Sequence, residues 1–256
     1  MIDFCQISTS RGTIRGAIHH SLDVGEYSHI TLILHGYLSS NKIGPHRLYF
    51  QMARHLSTSL DSCVARFDCI GMGESDGDIE NIDFDDFIFT YDCIIKYFAE
   101  IYGINSFFLI GHCVGANLAL HIALRHTSKI LGLILISPSL TDHNSLDRLF
   151  SHRGHLELIS KGFTSRKGLF VHGSFFLDSN SRENILYALG LFPGNISVIE
   201  SENDEYYLLT NKNNLLPCHR YHCVSGADHN YLEPKSRNNL FNIIVNEYKE
   251  KSKQFI

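Results

Sequence analysis

Several things are missing from this chain. No apolar run approaches the ~18 residues of a membrane span; the longest, around Ile130–Ile136, is about eight. The start, Met1-Ile2-Asp3-Phe4-Cys5, has no basic stretch followed by an apolar one. No secretory leader is read there, and a cytoplasmic location is expected. Neither sign of charge dominates: 22 Lys and Arg stand against 27 Asp and Glu, a net charge of −5. That balance offers nothing to nucleic acid or an anionic membrane, and neither is expected as a partner. The 16 histidines are scattered, with no H-E-x-x-H or comparable zinc spacing, so no metal is expected. The 7 cysteines are odd in number and none are paired at a redox or metal-ligand spacing. All but one read as reduced thiols, behaving as small hydrophobes. Internal repeats and low-complexity tracts are also missing.

What is present is alternation. With 256 residues, 44% of them apolar, the chain can build one large domain with a sizeable core. Residues 3–8 and 12–19 read as a hairpin around Ser10-Arg11-Gly12. Further strands are expected at 29–35, 62–68, 130–137, 196–200 and 218–224, and a strand followed by a helix over 106–126. Helices are also expected at 47–58, 84–101 and 235–250, with the tail from 249 frayed. From residue 29 to 137 strands alternate with helices, the signature of a mostly parallel sheet covered on both faces. The rhythm breaks over 139–194, which carries polar and basic stretches at 142–148 and 160–167. The same segment holds the aromatic residues Phe170, Phe175 and Phe176, and a short helix at 181–191. A segment of this length without a regular pattern reads as a functional lid. The expected organisation is therefore a core made of 1–138 and 195–256, with a lid at 139–194 inserted after the sixth strand.

The densest signal is F-F-L-I-G-H-C-V-G-A-N-L at residues 107–118. Apolar residues run into Gly111, then Gly-His-Cys-Val-Gly, then an apolar helix. Gly-x-nucleophile-x-Gly at a strand-to-helix corner is a nucleophile elbow, and the candidate nucleophile is Cys113. The helix behind it aims backbone N–H groups and the positive end of its dipole at the sulfur, favouring the thiolate.

Other motifs stand around the elbow. They are His35-Gly36-Tyr37, Arg66-Phe67-Asp68-x-x-Gly71-x-Gly73-x-Ser75-x-Gly77, Glu202-Asn203-Asp204-Glu205 and Gly226-Ala227-Asp228-His229-Asn230. In this order and spacing the chain resembles the α/β-hydrolases. It is most similar to the small-lid cinnamoyl/feruloyl esterases and serine-aminopeptidase-like hydrolases, with Cys113 where those have serine. The resemblance implies an α/β-hydrolase fold with a mostly parallel eight-stranded sheet, and no cofactor. It implies that His229 is general base and then general acid, and that Asp204 orients it, with Glu202 and Glu205 as nearby competitors. Asp228 is expected to make a loop hydrogen bond. The implied oxyanion hole is the backbone N–H of Tyr37 and of Val114. Asp68, Gly71, Gly73 and Ser75 are read as bracing. His35, His112, Phe175 and Phe176 are candidates for the substrate pocket, with a lid core as the equal alternative for the two phenylalanines.

The thiol narrows the chemistry. A tetrahedral intermediate on Cys113 from an alkyl ester can expel either the thiolate or a far more basic alkoxide, and the thiolate leaves first. Thioesters and activated esters, with weakly basic leaving groups, suit this nucleophile. The expected activity is hydrolysis of such a substrate through a cysteinyl thioester. The alternative is acyl transfer to an amine or alcohol; the further alternative is a non-catalytic ligand-binding relative. The partner expected is a small-molecule acyl substrate, carried on coenzyme A or an acyl carrier protein.

Overall fold

The computed structural model describes residues 1–256 except 22–26, 38–39, 61, 140–142, 167, 177–181, 206–218 and 253–256. The strands β1 (Ile2–Thr9) and β2 (Gly12–His19) form the expected hairpin, with Ile7 opposite Ile14 and Gly12 at φ 117° in the turn. Four short strands, β3 (Ile30–Leu34), β4 (Cys63–Phe67), β5 (Phe107–His112) and β6 (Ile130–Ile136), lie almost entirely buried, in keeping with their mostly apolar runs.

Helices connect them. α1 (Leu48–Ser59) follows β3, α2 (Phe84–Tyr102) follows β4, and α3 (Val114–Arg125) follows β5. The start of α2 is set by a capping box: Asp83 accepts from the N–H groups of Asp85 and Asp86, and Asp86 accepts from that of Asp83. Gly103, at φ 68°, ends the helix.

Between β6 and the next sheet strand come α4 (His143–Lys161), the hairpin β7 (Phe163–Arg166) with β8 (Leu169–His172), and α5 (Arg182–Leu191). The chain returns through β9 (Ile196–Ser201) and β10 (Arg220–Val224) to α6 (Pro234–Ser252). Residue 218, expected in the last strand, lies outside the described residues. The helix α6 runs on past 249, where fraying was expected, because Lys251 packs inward, 4% exposed. Residues 253–256 lie outside the described residues.

The eight-stranded sheet has the order β1-β2-β4-β3-β5-β6-β9-β10, parallel except where β2 meets its neighbours. Alternate residues of each central strand feed different cores. Leu32, Leu109 and Leu133 face α2 and α3, while Ile33, Ile110 and Ile134 face α1 and α6. The chain leaves β3 towards one edge of the sheet and β5 towards the other. Between neighbouring strands whose connections part in this way, a crevice opens at their carboxyl ends. Among the described residues no helix is long and apolar enough to cross a membrane.

The segment 139–194 is more regular than its sequence pattern. Its apolar residues Leu146, Leu149, Phe150 and Leu158 are buried from α4, but Ser151 (φ 64°, ψ 162°) bends that helix and interrupts the period.

Candidate active site

Cys113 sits at the crevice, between β5 and α3, with φ 59° and ψ −126°. A non-glycine residue at that φ is strained and needs its surroundings to hold it. They do: the Cys113 N–H donates to the Ile136 carbonyl at 2.9 Å, and its own carbonyl accepts from Ala116 at 3.0 Å and Ser139 at 3.3 Å. The corner is closed by two glycines. A Cβ on Gly111 would lie 2.2 Å from the Gly115 oxygen, and one on Gly115 would lie 2.3 Å from the Leu34 oxygen. Cys113 itself is partly exposed.

The loops after β9 and β10 bring the partners. His229 Nδ1 donates to Asp204 Oδ2 at 2.7 Å, and the same oxygen accepts from Ser201 Oγ at 3.1 Å. The His229 side chain also hydrogen-bonds the Cys113 thiol. Both His229 and Asp204 are 7% exposed. Burial opposes charge on His229, but the negative Cys113 sulfur and the Asp204 hydrogen bond outweigh it and raise its pKa to about 10. The competing carboxylates point elsewhere. Glu202 accepts from Ser225 Oγ and the Gly226 N–H, both at 2.8 Å, and Glu205 is exposed. Asp228 accepts from the Leu232 N–H at 2.9 Å, a loop bond as expected.

Val114 opens α3, so its N–H has no acceptor within the helix. Tyr37 follows Gly36, whose Cα is so close to Cys113 that a Cβ there would lie 3.3 Å from the Cys113 Cβ. His35 is wholly buried between loops: its Nδ1–H donates to the Gly36 carbonyl at 2.6 Å and its Nε2 accepts from the Cys69 N–H at 3.0 Å. A trans peptide points its N–H away from its carbonyl, so the bond to His35 fixes which way the Tyr37 N–H faces.

The pocket expectations need correcting. Both ring nitrogens of His35 are taken by backbone groups, and both of His112 by Tyr49 and the His229 carbonyl. Neither has a polar atom left for a substrate. Phe175 and Phe176 are 0% and 2% exposed. Phe175 stacks on the Tyr37 ring at 3.7 Å and meets Phe87 edge-on at 5.0 Å; Phe176 meets Phe150 at 5.1 Å. Of the two roles left open for these rings, the packing favours a core one: Phe176 packs within the insertion, and Phe175 packs it against α2 and Tyr37. The Tyr37 phenol is covered too, donating to the Phe170 carbonyl at 3.4 Å.

Asp68 is a brace, as expected. It accepts from the Lys42 N–H and Lys42 Nζ, each at 2.6 Å, and from the Glu74 N–H at 2.9 Å. Gly73 makes room, since a Cβ there would lie 2.3 Å from that carboxyl group. Lys42 and Tyr49 were not singled out from the sequence. A lysine in a polar loop and a tyrosine on a helix carry no local signal of burial.

Residues 32–182, more than half the chain, match the alpha/beta hydrolase fold family. The chain belongs to that family. Among solved structures of the same fold, the esterase Est1E from Butyrivibrio proteoclasticus with ferulic acid superposes with a TM-score of 0.77 at 12% identity, covering 96% of this chain and 98% of that one. Mouse alpha/beta hydrolase domain-containing protein 10 superposes at 0.72 with 16% identity, covering 97% and 99%. The thioesterase domain from the curacin biosynthetic pathway superposes at 0.66 with 15% identity, covering 96% and 99%. No curated protein matches the sequence. Identities this low speak for the alpha/beta hydrolase fold alone. Among the described residues no group of three or more His, Cys, Asp or Glu is placed to hold a metal ion.

Proposed function

We propose that this alpha/beta hydrolase is an acyl-transfer enzyme that hydrolyses a thioester or activated ester through Cys113. The observation that carries the reading is the hydrogen-bonded series Asp204–His229–Cys113, with the sulfur on a strained elbow at the head of α3. In the first half-reaction the Cys113 thiolate attacks the acyl carbon, forming a C–S bond. The carbonyl electrons move onto oxygen, which accepts from the N–H groups of Val114 and Tyr37. The oxyanion collapses, the leaving group departs, and it takes the proton from His229 Nε2. In the second half, His229 takes a proton from water as the water attacks the cysteinyl thioester. Collapse then returns the thiolate and releases the acid. Asp204 holds the imidazole in one orientation and balances its charge.

Residues 139–194 serve as the lid. They reach the oxyanion loop through Phe175 and Tyr37, which couples substrate entry to the donor peptide. Among proteins of this fold, Est1E is found with ferulic acid bound and the domain from the curacin pathway is a thioesterase, which is in keeping with a carboxylic acyl substrate here.

The test is intact-protein mass spectrometry after mixing with a panel of acyl thioesters, wild type beside Cys113→Ala. A mass increment on wild type alone is expected. Loss of the adduct in water marks a hydrolase, and loss only on addition of an amine or alcohol marks a transferase. A wild type that neither gains mass nor releases thiol overturns the reading.

A further inference from the structure

Two buried groups that this mechanism does not use lie between its parts. Tyr49, 1% exposed, projects from α1, and His112, 2% exposed, stands one residue before the nucleophile. The Tyr49 hydroxyl oxygen accepts from the Gly36 N–H at 3.3 Å and from Ser40 Oγ at 3.5 Å. It lies 2.8 Å from His112 Nδ1, and His112 Nε2 lies 2.9 Å from the His229 carbonyl oxygen. A carbonyl only accepts, so Nε2 carries the proton, Nδ1 is the acceptor, and the phenol donates to it. Burial and the nearby His229 keep His112 neutral, its pKa pushed down to about 3. The hydrogen bonds thus run without a break from the oxyanion loop, through a phenol and an imidazole, to the main chain of the His229 loop.

We infer that Tyr49 and His112 are positioning residues, a tether that holds Gly36, the residue before the Tyr37 donor, and His229 in register on either side of Cys113. The inference rests on the proposed function. It assigns each end of the tether a separate duty: the Tyr49 end sets the oxyanion donor, and the His112 end sets the base.

Two reactions of Cys113 separate these duties. Acylation by a thioester passes through an oxyanion. Alkylation by iodoacetamide forms an S–C bond and expels iodide, with no oxyanion. Tyr49→Phe is expected to slow acylation about 10- to 100-fold while alkylation of Cys113, followed by peptide mass spectrometry, stays within about twofold of wild type. The two amides divide the imidazole between them. His112→Gln places a donor near Nε2 and abandons Tyr49, so it should behave as Tyr49→Phe does. His112→Asn places an acceptor near Nδ1 and abandons the His229 carbonyl, so it should slow both reactions. Acylation of Tyr49→Phe at the wild-type rate overturns the tether. So does an equal fall of both reactions in all three variants, which is the mark of a merely structural role. If Tyr49→Phe does not fold, the Gln and Asn pair decides alone, and equal behaviour of those two overturns the inference. A wild type that is never acylated removes the proposed function, and the tether with it; that failure shows in the control rather than in the variants.

Discussion

At the scale of single residues the proposed mechanism turns on the sulfur of Cys113. The conservative swap tests it. Cys113→Ser restores the oxygen found in the esterases this chain resembles, but a hydroxyl is far less acidic than a thiol and depends more on His229 to take its proton as it attacks. On a thioester substrate kcat/KM is expected to fall by about 100-fold or more, a loss on the scale of a general-base contribution. A serine variant that matched wild type would show that the acidity of the thiol is not what Cys113 supplies. His229 reports the same interaction from the other side. Its charge is opposed by burial and supported first by the Cys113 sulfur, then by Asp204. In Cys113→Ala the first support goes while burial stays, so the imidazole should titrate at lower pH than in wild type, read by NMR of the ring. The wild-type pKa of about 10 lies above the ordinary histidine value of 6.5. The stability this charge contributes is therefore full below that ordinary value and is lost as pH rises through about 10. Cys113, His229 and Asp204 were legible because each sits at a motif with a chemical reason for its spacing. The duties of His35 and His112 were not, because which way a histidine's two nitrogens face depends on partners distant in the chain.

At the scale of elements, legibility followed the hydrophobic period. The core strands and the helices α1, α2 and α3 declare themselves through unbroken apolar runs or a clean helical stripe. The helix α4 does not, since its buried positions are spread over two segments set at an angle by Ser151, amid dense polar residues. The hairpin of β7 and β8 has strands of four residues each, too short for alternation to stand out. At the elbow, backbone packs directly on backbone. A Cβ on Gly115 would lie 2.3 Å from the Leu34 oxygen and 2.5 Å from the His35 oxygen, both on rigid backbone. The helix α3 would have to move off β3. Gly115→Ala is expected to lose about 1–3 kcal/mol of stability, the usual cost of overpacking a core, in urea denaturation. It should also lose acylation more than it loses stability, because the displaced helix carries the Val114 N–H. A variant of wild-type stability would show that α3 can shift freely.

At the scale of the whole molecule, the groups of the proposed mechanism hang on four different strands of the sheet, and all of them meet at the carboxyl ends of the strands. Tyr37 follows β3, Cys113 follows β5, Asp204 follows β9 and His229 follows β10. Such a site depends on loops being fixed to one another, not only to their own strands. The N-terminal half does this with a buried charge. Asp68, after β4, holds both the backbone and the ammonium of Lys42, in the loop that follows β3, and Ser75 of the same region donates to the Asp68 carbonyl while accepting from the Arg15 N–H of β2. Lys42 and Asp68 are 5% and 0% exposed. A pair this deep is weak evidence of net stabilisation, because both charges have been taken out of water, yet removing one partner strands the other. Lys42→Met should therefore cost about 3–5 kcal/mol in urea denaturation, the range for an orphaned buried charge. Adding Asp68→Asn removes that charge but keeps an oxygen for only one of the Lys42 and Glu74 N–H groups, which bind different carboxylate oxygens, so the double variant should recover part of the stability lost in Lys42→Met. If the second substitution instead made matters worse, the backbone donors would be sufficient to hold the carboxylate, and Lys42 would be a bystander in the brace that carries the oxyanion loop.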